Sequence, residues 1–274
     1  GTERRTVNGL LELFLQKPVG EDLMSDTPLW EELYNELRRQ IESGELPPGS
    51  PVPRELQLAE QHSLSRTTVR QALARLQADG LITRGQGRLG RKVRDQRPLE
   101  WHLHRFERGP RRDDDSTGMD DWAAGVAEQG RTPRQDVHVS IEIPPADICT
   151  VLELGDGDMA VRRTRIRYVD NVPYQLSTSW FPESIARGTL LMEPRDIAVP
   201  GGILRHIGCP QVAIRDQIII RMPSPSEADQ LDIPTGTPVG EHQRTGYGED
   251  GQPLRHMVTV FAGDKHFLVY ELEL

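Results

Sequence analysis

The sequence predicts an α+β protein, in which a helical N-terminal segment precedes a larger domain built on an antiparallel sheet. Between positions 28 and 80, apolar residues recur every three or four positions, which is the period of a helix. From position 120 onward they fall into short alternating runs, which is the pattern of strands. Turn signals at Asp170-Asn171 and Glu249-Asp250-Gly251 indicate hairpins, so we expect the neighbouring strands to be antiparallel.

Three helices are predicted in the N-terminal segment. The first begins near Pro28 and ends at Gly44, because proline favours the first turn of a helix and glycine favours its end. The second spans about 54 to 62. The third is capped by Ser65 and stopped by Asp79-Gly80. One face of the third helix is apolar, and the other carries Thr67, Arg70, Gln71 and Ala74.

Two short strands follow the third helix. The first covers Leu81 to Arg84, and the second is a basic run that ends at Val93, with a glycine-rich turn between them. Three helices and a two-stranded wing within about 65 residues form a winged helix-turn-helix, which we assign to residues 25–95. Residues 1–24 are an extension to which we assign no function.

The distribution of charge indicates a nucleic-acid partner. The chain has a formal net charge of −9, which taken alone argues against DNA binding. DNA responds to the local potential of a surface, however, and between positions 64 and 94 eight arginines and lysines oppose one acid, Asp79. We therefore expect this segment to face DNA and the acidic remainder to face away.

The third helix is predicted to read the bases. In a helix-turn-helix, the N-terminal residues of this helix meet base edges in the major groove. Arg66 and Arg70 lie one turn apart, and an arginine can bind guanine O6 and N7 with two hydrogen bonds. The remaining predicted contacts are Ser65, Thr67 and Thr68 to phosphate oxygens, and Gln86, Gly87 and Arg88 at the wing tip to the minor groove.

The segment from Pro28 to Val93 resembles the DNA-binding domain of the GntR family of bacterial regulators. The resemblance rests on Gly44-Glu45-Leu46-Pro47-Pro48-Gly49, on Ser65-Arg66-Thr67-Thr68-Val69-Arg70-Gln71-Ala72-Leu73, on Gly80-Leu81-Ile82 and on Gln86-Gly87-Arg88. One position departs from the family pattern: Leu56 stands where the family usually has an arginine. We expect Arg54, two residues earlier, to make that contact.

The second half is predicted to hold a small-molecule pocket. Residues 96–118 form a linker, because their charge blocks, prolines and glycines resist compact folding. In the domain from 119 to 274, Arg163, Arg165 and Arg167 alternate along one strand and share one face, where their like charges repel. An anionic ligand would relieve that repulsion. The alternative is a solvated sheet face with Arg–Glu pairs.

Residues 119–274 are also similar to the UTRA domain of the HutC branch of GntR regulators. The similarity rests on Arg165-Ile166-Arg167-Tyr168-Val169-Asp170-Asn171-Val172-Pro173, on Ser177-Thr178-Ser179-Trp180-Phe181-Pro182 and on Tyr247-Gly248-Glu249-Asp250-Gly251-Gln252-Pro253. It implies a chorismate-lyase-like fold with a six-stranded antiparallel sheet and a pocket for a small, often anionic metabolite. The predicted ligand-binding residues are Arg163, Arg165, Arg167, Ser177, Ser179, Arg244 and Tyr247. Arg255 stands where the family often has an acidic or neutral residue, which predicts a ligand other than the known sugar phosphates.

These observations predict a bacterial transcription regulator, a repressor, whose affinity for double-stranded operator DNA is modulated by a small-molecule effector. We expect a cytoplasmic homodimer without membrane spans, since the sequence has no run of 18 apolar residues. No cofactor, metal site or catalytic residue is predicted, and two cysteines are too few for a disulfide framework. Two alternatives remain open: an enzyme with a lyase-like second domain, and a regulator whose second domain only dimerises.

Overall fold

The computed structural model describes residues 27–83, 85, 90–95, 97–105, 119–234 and 236–271. The predicted extension 1–24, the wing-tip contacts Gln86, Gly87 and Arg88, and the part of the predicted linker from 106 to 118 lie outside the described residues.

The N-terminal segment contains the three predicted helices: α1 Leu29–Glu42, α2 Glu55–Gln61 and α3 Arg66–Ala78. Their apolar faces form one core, in which Leu37, Leu58 and Leu73 are almost fully buried. Ser65 caps α3 as predicted, because its Oγ accepts a hydrogen bond from the Thr68 backbone nitrogen at 3.1 Å.

The base of the wing is tied to the loop before α2. Ile82 bridges Val93, and the Thr83 nitrogen donates to the Lys92 carbonyl at 2.8 Å. On the other side, Lys92 bridges Pro51. Three short extended segments therefore lie side by side beneath the helices, and they hold the start of α2 close to the wing.

The C-terminal domain has the predicted α+β architecture around one six-stranded antiparallel sheet. Its strands are β2 Pro133–Glu142, β3 Ala160–Val169, β4 Val172–Pro182, β5 Ala213–Arg221, β6 Val239–Tyr247 and β7 Pro253–Ala262, in the order β2-β3-β4-β7-β6-β5. Its helices are α4 Asp121–Glu128, α5 Ala146–Val151, α6 Glu183–Ala186, α7 Ile203–His206 and α8 Pro225–Gln230. Two strands, β2 and β5, form the sheet edges.

The prediction of a linker over 96–118 is wrong for its first part. Residues Leu99–His102 form a strand, β1, which pairs in parallel with β8, His266–Val269. Leu99 is buried in a cluster with Trp122 and Tyr174, so this strand packs onto the large sheet and α4. The physical reason is burial: Leu99, Trp101 and Leu103 alternate with polar residues, and packing their apolar side outweighs the flexibility of the flanking charge blocks.

In the part of the chain that the structure describes, no helix combines the length and apolar character needed to cross a bilayer.

Candidate nucleic-acid interface and ligand pocket

The exposed face of α3 carries the predicted base-reading residues. Arg66, Thr67 and Arg70 are all exposed, whereas Val69 and Leu73 on the opposite side are fully buried. The Oγ of Ser65 lies 2.8 Å from the Thr68 Oγ1, so these two side chains close the first turn of the helix. The start of α3 is therefore rigid while its arginines remain accessible.

Arg70 is held by an acid of the preceding helix. Its Nε donates to the Glu55 Oε2 at 2.9 Å, and Arg91 from the wing donates to the other oxygen at 3.3 Å. The hydrogen bond from Arg70 lowers the pKa of Glu55. An exposed ion pair contributes at most about 1 kcal/mol, whereas a bidentate guanine contact contributes about 1–3 kcal/mol. Arg70 can therefore exchange Glu55 for a base.

The predicted substitute for the missing family arginine lies at the N-terminus of α2. Arg54 caps this helix and its side chain is exposed. Its backbone nitrogen is bonded to the Gln57 side chain at 3.0 Å. Leu56 lies two residues further on and is 49% exposed. An apolar side chain thus occupies surface beside the cationic residues of the module.

A cavity of about 220 Å³ lies between the sheet and the segments that cover it. The sheet contributes four arginines to its wall: Arg165, Arg167, Arg244 and Arg255. The cover consists of β1, α4 and the segment from 196 to 204. Of the predicted ligand-binding residues, Arg165, Arg167 and Arg244 line this cavity.

Four predicted ligand-binding residues are not among the wall residues of this cavity: Arg163, Ser177, Ser179 and Tyr247. Arg163 is buried, and its Nη1 and Nη2 donate to the carbonyl oxygens of Leu191, Glu193 and Arg195 at 2.6, 2.7 and 2.9 Å. It therefore fastens the 190–195 segment to the sheet. Tyr247 ends β6 and is not among the wall residues. Arg163 and Tyr247 are therefore not proposed as ligand contacts.

The two predicted serines lie buried on the arginine-bearing face. Ser177 pairs with Thr259 on the neighbouring strand, with their hydroxyl oxygens 2.9 Å apart. The Oγ of Ser179 accepts from Arg165 at 3.5 Å and from Arg255 at 3.3 Å. Ser179 thus accepts hydrogen bonds from two of the arginines that line the cavity, whereas the Ser177 hydroxyl is hydrogen-bonded to Thr259.

Arg167 and Arg165 differ in how far their donors are used. Arg167 donates to Gln135 and Gln175 at 3.1 Å each, and burial lowers its pKa to about 10. Arg165 has the long contact to Ser179, and its buried Nε has no hydrogen-bond partner among the described residues. Burial lowers the pKa of Arg165 as well. A half-buried guanidinium whose Nε has no partner among the described residues suits an acceptor that enters the cavity.

Acidic residues face these arginines across the cavity. The Gln135 amide donates to Asp120 at 2.9 Å and to Asp196 at 3.1 Å, which draws the two carboxylates together. Burial and the charge of Asp120 raise the pKa of Asp196. The wall can therefore bind an anionic group at Arg165 and hydrogen-bond donors at the two carboxylates.

Arg244 connects the cavity wall to the segment that leaves the N-terminal module. Its Nε and Nη2 each lie 2.7 Å from a carboxylate oxygen of Asp216, and Nη2 also donates to the Leu103 carbonyl at 2.6 Å. Although burial alone would raise the pKa of Asp216, hydrogen bonds from Arg244 and His242 hold it well below its usual range. Leu103 follows β1, whose Trp101 and His102 also line the cavity.

Charged contacts also join the wing to the C-terminal domain. Arg94 is buried; it donates to the Gly80 carbonyl at 3.2 Å and pairs with Asp264 at 3.1 Å. One residue further on, Asp95 pairs with Arg131 at 3.2 Å. The same stretch of chain therefore contacts the end of α3, the C-terminal domain and, through β1, the cavity.

Sequence reasoning missed the contribution of β1 and of the 196–204 segment to the cavity. The alternation of Leu99, Trp101 and Leu103 with polar residues was a signal for a strand. No comparable signal marks Asp196, which reaches the cavity through a loop.

Family models match both parts of the chain. Residues 29–89 match the model described as bacterial regulatory proteins, gntR family, and residues 128–266 match the UTRA domain. The HTH-type transcriptional repressor NagR of Bacillus subtilis is 26% identical over 250 residues, which cover 91% of this chain and 96% of NagR. The HTH-type transcriptional regulator Rv0792c of Mycobacterium tuberculosis is 32% identical over 234 residues, covering 84% of this chain and 81% of that protein.

Solved structures share the fold over nearly the whole chain. The crystal structure of PhnF from Mycobacterium smegmatis has a TM-score of 0.55 at 24% identity and covers 88% of this chain and 98% of that one. A putative GntR-family transcriptional regulator has a TM-score of 0.54 at 22% identity, covering 90% and 98%. On these matches, the chain belongs to the GntR family of bacterial regulatory proteins and carries a UTRA domain behind its helix-turn-helix.

Proposed function

We propose that this chain is a transcriptional repressor that binds double-stranded operator DNA and whose DNA affinity depends on a small metabolite in the cavity. One observation carries the proposal: the segment that leaves the winged helix-turn-helix becomes β1 and forms part of the cavity wall. A ligand and the DNA-binding module therefore act on the same piece of chain. The name of NagR as a repressor supports repression as the direction of control.

In the DNA complex, Arg66 and Arg70 read base edges in the major groove, and the start of α3 binds phosphate. Their exposure and the N-cap at Ser65 support this placement. Arg54, at the N-terminus of α2, contacts the DNA backbone in this proposal. The wing-tip residues Gln86, Gly87 and Arg88 reach the minor groove in this proposal.

The effector carries one anionic group and at least one hydroxyl or amino group. Arg165 supports the anionic group, since its buried Nε has no hydrogen-bond partner among the described residues. Asp120 and Asp196 support the donor groups, since both carboxylates meet at the Gln135 amide. In this proposal the effector also contacts Arg255, which lines the cavity and stands where the HutC branch often has an acidic or neutral residue.

Occupancy of the cavity reaches DNA through β1. A ligand that moves the Arg244 side chain changes its hydrogen bond to the Leu103 carbonyl, which directly follows β1. Asp95 and Arg94 precede β1, and Arg94 contacts Gly80 at the end of α3, so a shift of β1 reaches the DNA-binding module. The coupling free energy between ligand and DNA is set by how much more tightly the ligand binds one arrangement of the DNA-binding module than the other. The regulator acts as a cytoplasmic homodimer on an operator of two-fold symmetry and has no catalytic role.

Binding measurements on the full chain test the DNA-binding part. An operator duplex is first selected from a random library with the wild-type chain. Fluorescence anisotropy then compares wild type with Arg66→Ala and Arg70→Ala, and with Arg38→Ala on α1, whose guanidinium is paired with Glu42, as the matched control. We expect each α3 variant to lose about 5- to 100-fold in operator affinity and the control to be unchanged. Unchanged binding by both α3 variants would refute the recognition helix.

A thermal-shift screen tests the effector. The library contains phosphorylated and carboxylated metabolites with free hydroxyl or amino groups. We expect a hit to stabilise the wild-type chain and to lose its effect in Arg165→Gln. Equal shifts in both proteins would place the ligand outside this cavity.

A further inference from the structure

The wall of the cavity is divided by charge. Its four arginines all lie on strands of the sheet. The described part of the wall also holds four acidic side chains, and these all belong to the cover: Asp120, Asp121, Glu128 and Asp196. With histidine counted as neutral, the formal charges of the described wall residues cancel. The cavity is therefore positive on the side of the sheet and negative on the side of the cover.

A wall divided in this way favours a ligand that carries both charges. The carboxylates of the cover repel a ligand whose only charge is negative, although the arginines of the sheet attract it. Both interactions are stronger in a partly buried cavity than in water, because the effective dielectric constant is lower. A zwitterion meets attraction on both sides when its anionic group faces the sheet and its ammonium faces the cover.

The negative side has a defined centre at two carboxylates. The Gln135 Nε2 donates to the Asp120 Oδ2 at 2.9 Å and to the Asp196 Oδ2 at 3.1 Å, so these two oxygens lie close together. The second oxygen of Asp120 accepts from the Ala123 nitrogen at 2.8 Å, and that of Asp196 accepts from the Ile197 nitrogen at 3.0 Å. Backbone and amide donors thus fix the orientation of both carboxylates. An ammonium has three donors and can bridge the two neighbouring oxygens.

The positive side offers two buried donors that have no hydrogen-bond partner among the described residues. One is the Nε of Arg165, and the other is the Nε1 of Trp122, a residue that lines the cavity and is 6% exposed. The guanidinium of Arg167 lies 5.2 Å from the centre of the Trp122 ring. Because buried polar atoms normally have a partner, these two donors indicate an acceptor in the ligand, independently of the acidic residues.

The two sides lie close to each other. Arg167 shares a face of β3 with Arg165, and its Nη2 is 3.8 Å from the Asp120 Oδ2. The opposite charges of the ligand must therefore be separated by only a few bonds. An α-amino acid meets this condition, whereas an amino acid with its ammonium at the far end of a long side chain does not.

We propose that the effector is a small zwitterion of the α-amino acid class, with its carboxylate at Arg165 and Trp122 and its ammonium at Asp120 and Asp196. This inference rests on the proposed function and names the class of ligand that the cavity binds. A sugar phosphate, which lacks the ammonium, leaves the two carboxylates of the cover without a counter-charge.

Matched pairs of ligands test the class. An α-hydroxy acid keeps the carboxylate and the side chain of its amino acid and replaces the ammonium by a hydroxyl. A thermal-shift screen of the full chain with the L-amino acids of proteins identifies those that stabilise it, and titration calorimetry then compares each with its hydroxy acid. We expect at least one amino acid to bind, and its hydroxy acid to bind about tenfold more weakly or worse.

Variants of the two sides test the orientation. Asp196→Asn keeps an acceptor but removes the charge, so the amino acid should lose about tenfold in affinity while the hydroxy acid changes by less than about twofold. Arg165→Gln should weaken both ligands alike. Asp136→Asn, on the exposed edge of β2, is the matched control and should change neither. Circular dichroism checks that each variant is folded.

The outcomes separate the ligand class from the proposed function. If no amino acid stabilises the chain, or if each binds no better than its hydroxy acid, the zwitterion is overturned; a hit among anionic compounds without an amino group then leaves the proposed effector cavity standing. Equal losses of both ligands in folded Asp196→Asn overturn the ammonium position. If Asp196→Asn does not fold, the comparison of ligands on the wild type decides. A wild type that binds no operator overturns the proposed function and leaves the ligand class intact.

Discussion

Glu55 competes with DNA for Arg70 in the free protein. Its carboxylate accepts from Arg70 at 2.9 Å and from Arg91 at 3.3 Å. The Arg70 side chain is 63% exposed and that of Glu55 is 27% exposed, so solvent weakens their attraction. An ion pair of this exposure contributes about 0.2–1 kcal/mol, which limits the gain from releasing Arg70 to about fivefold in affinity.

We therefore expect Glu55→Gln to bind non-operator duplexes about two- to fivefold more tightly at fixed salt. The affinity for the operator should rise as well, because Glu55 competes for Arg70 with either duplex. Fluorescence anisotropy with an operator duplex and a scrambled duplex measures both quantities. Glu60→Gln is the matched control, since it removes one exposed charge from the same helix.

An unchanged or weakened affinity of Glu55→Gln for the scrambled duplex would refute this reasoning. It would mean that Glu55 does not hold Arg70 away from DNA. An equal gain in Glu60→Gln would also refute it, because the effect would then come from net charge.

Three further predictions concern DNA affinity and stability. Leu56→Arg should add a phosphate contact and steepen the salt dependence of DNA binding by about 0.9, whereas Leu56→Gln should not. In chemical unfolding, Arg165→Met should stabilise the unliganded chain by about 1 kcal/mol, because it removes a half-buried charge whose Nε has no hydrogen-bond partner among the described residues. Arg163→Met should destabilise the chain by about 3 kcal/mol, because three carbonyl oxygens lose their donor. Equal changes in the free energy of unfolding would contradict this. Burial lowers the pKa of Lys265 to about 7, so the folded state binds fewer protons than the unfolded state from about pH 7 to pH 10. The free energy of unfolding of the wild type relative to Lys265→Met should therefore rise across that range, and a constant difference would contradict the lowered pKa of the buried Lys265 amine.

The helix-turn-helix could be predicted from sequence because its signals are local. The apolar period of α3 and the cap at Ser65 both lie within one helix, and the structure confirms them. The same holds for the strands of the sheet, whose hairpin turns connect neighbours in sequence. The face of the sheet on which a side chain lies was also predictable, since the alternation along β3 places Arg165 and Arg167 on one face, and both line the cavity.

The role of each side chain on that face was not predictable, because it depends on distant segments. Arg163 has the same place in the alternation as Arg165, yet the carbonyls of the 190–195 segment bind it. The strand β1 pairs with residues more than 160 positions later, and a four-residue strand leaves little periodicity to detect.

The position of β1 also determines how this regulator can be recombined with its relatives. Although β1 follows the DNA-binding module in sequence, its hydrogen-bonding partner and the cavity it lines belong to the C-terminal half. A hybrid joined after residue 118 would give the sensing domain a foreign β1 and a rebuilt cavity wall. Exchange of sensing domains therefore calls for a junction between Asp95 and Leu99, so that each cavity keeps its own first strand.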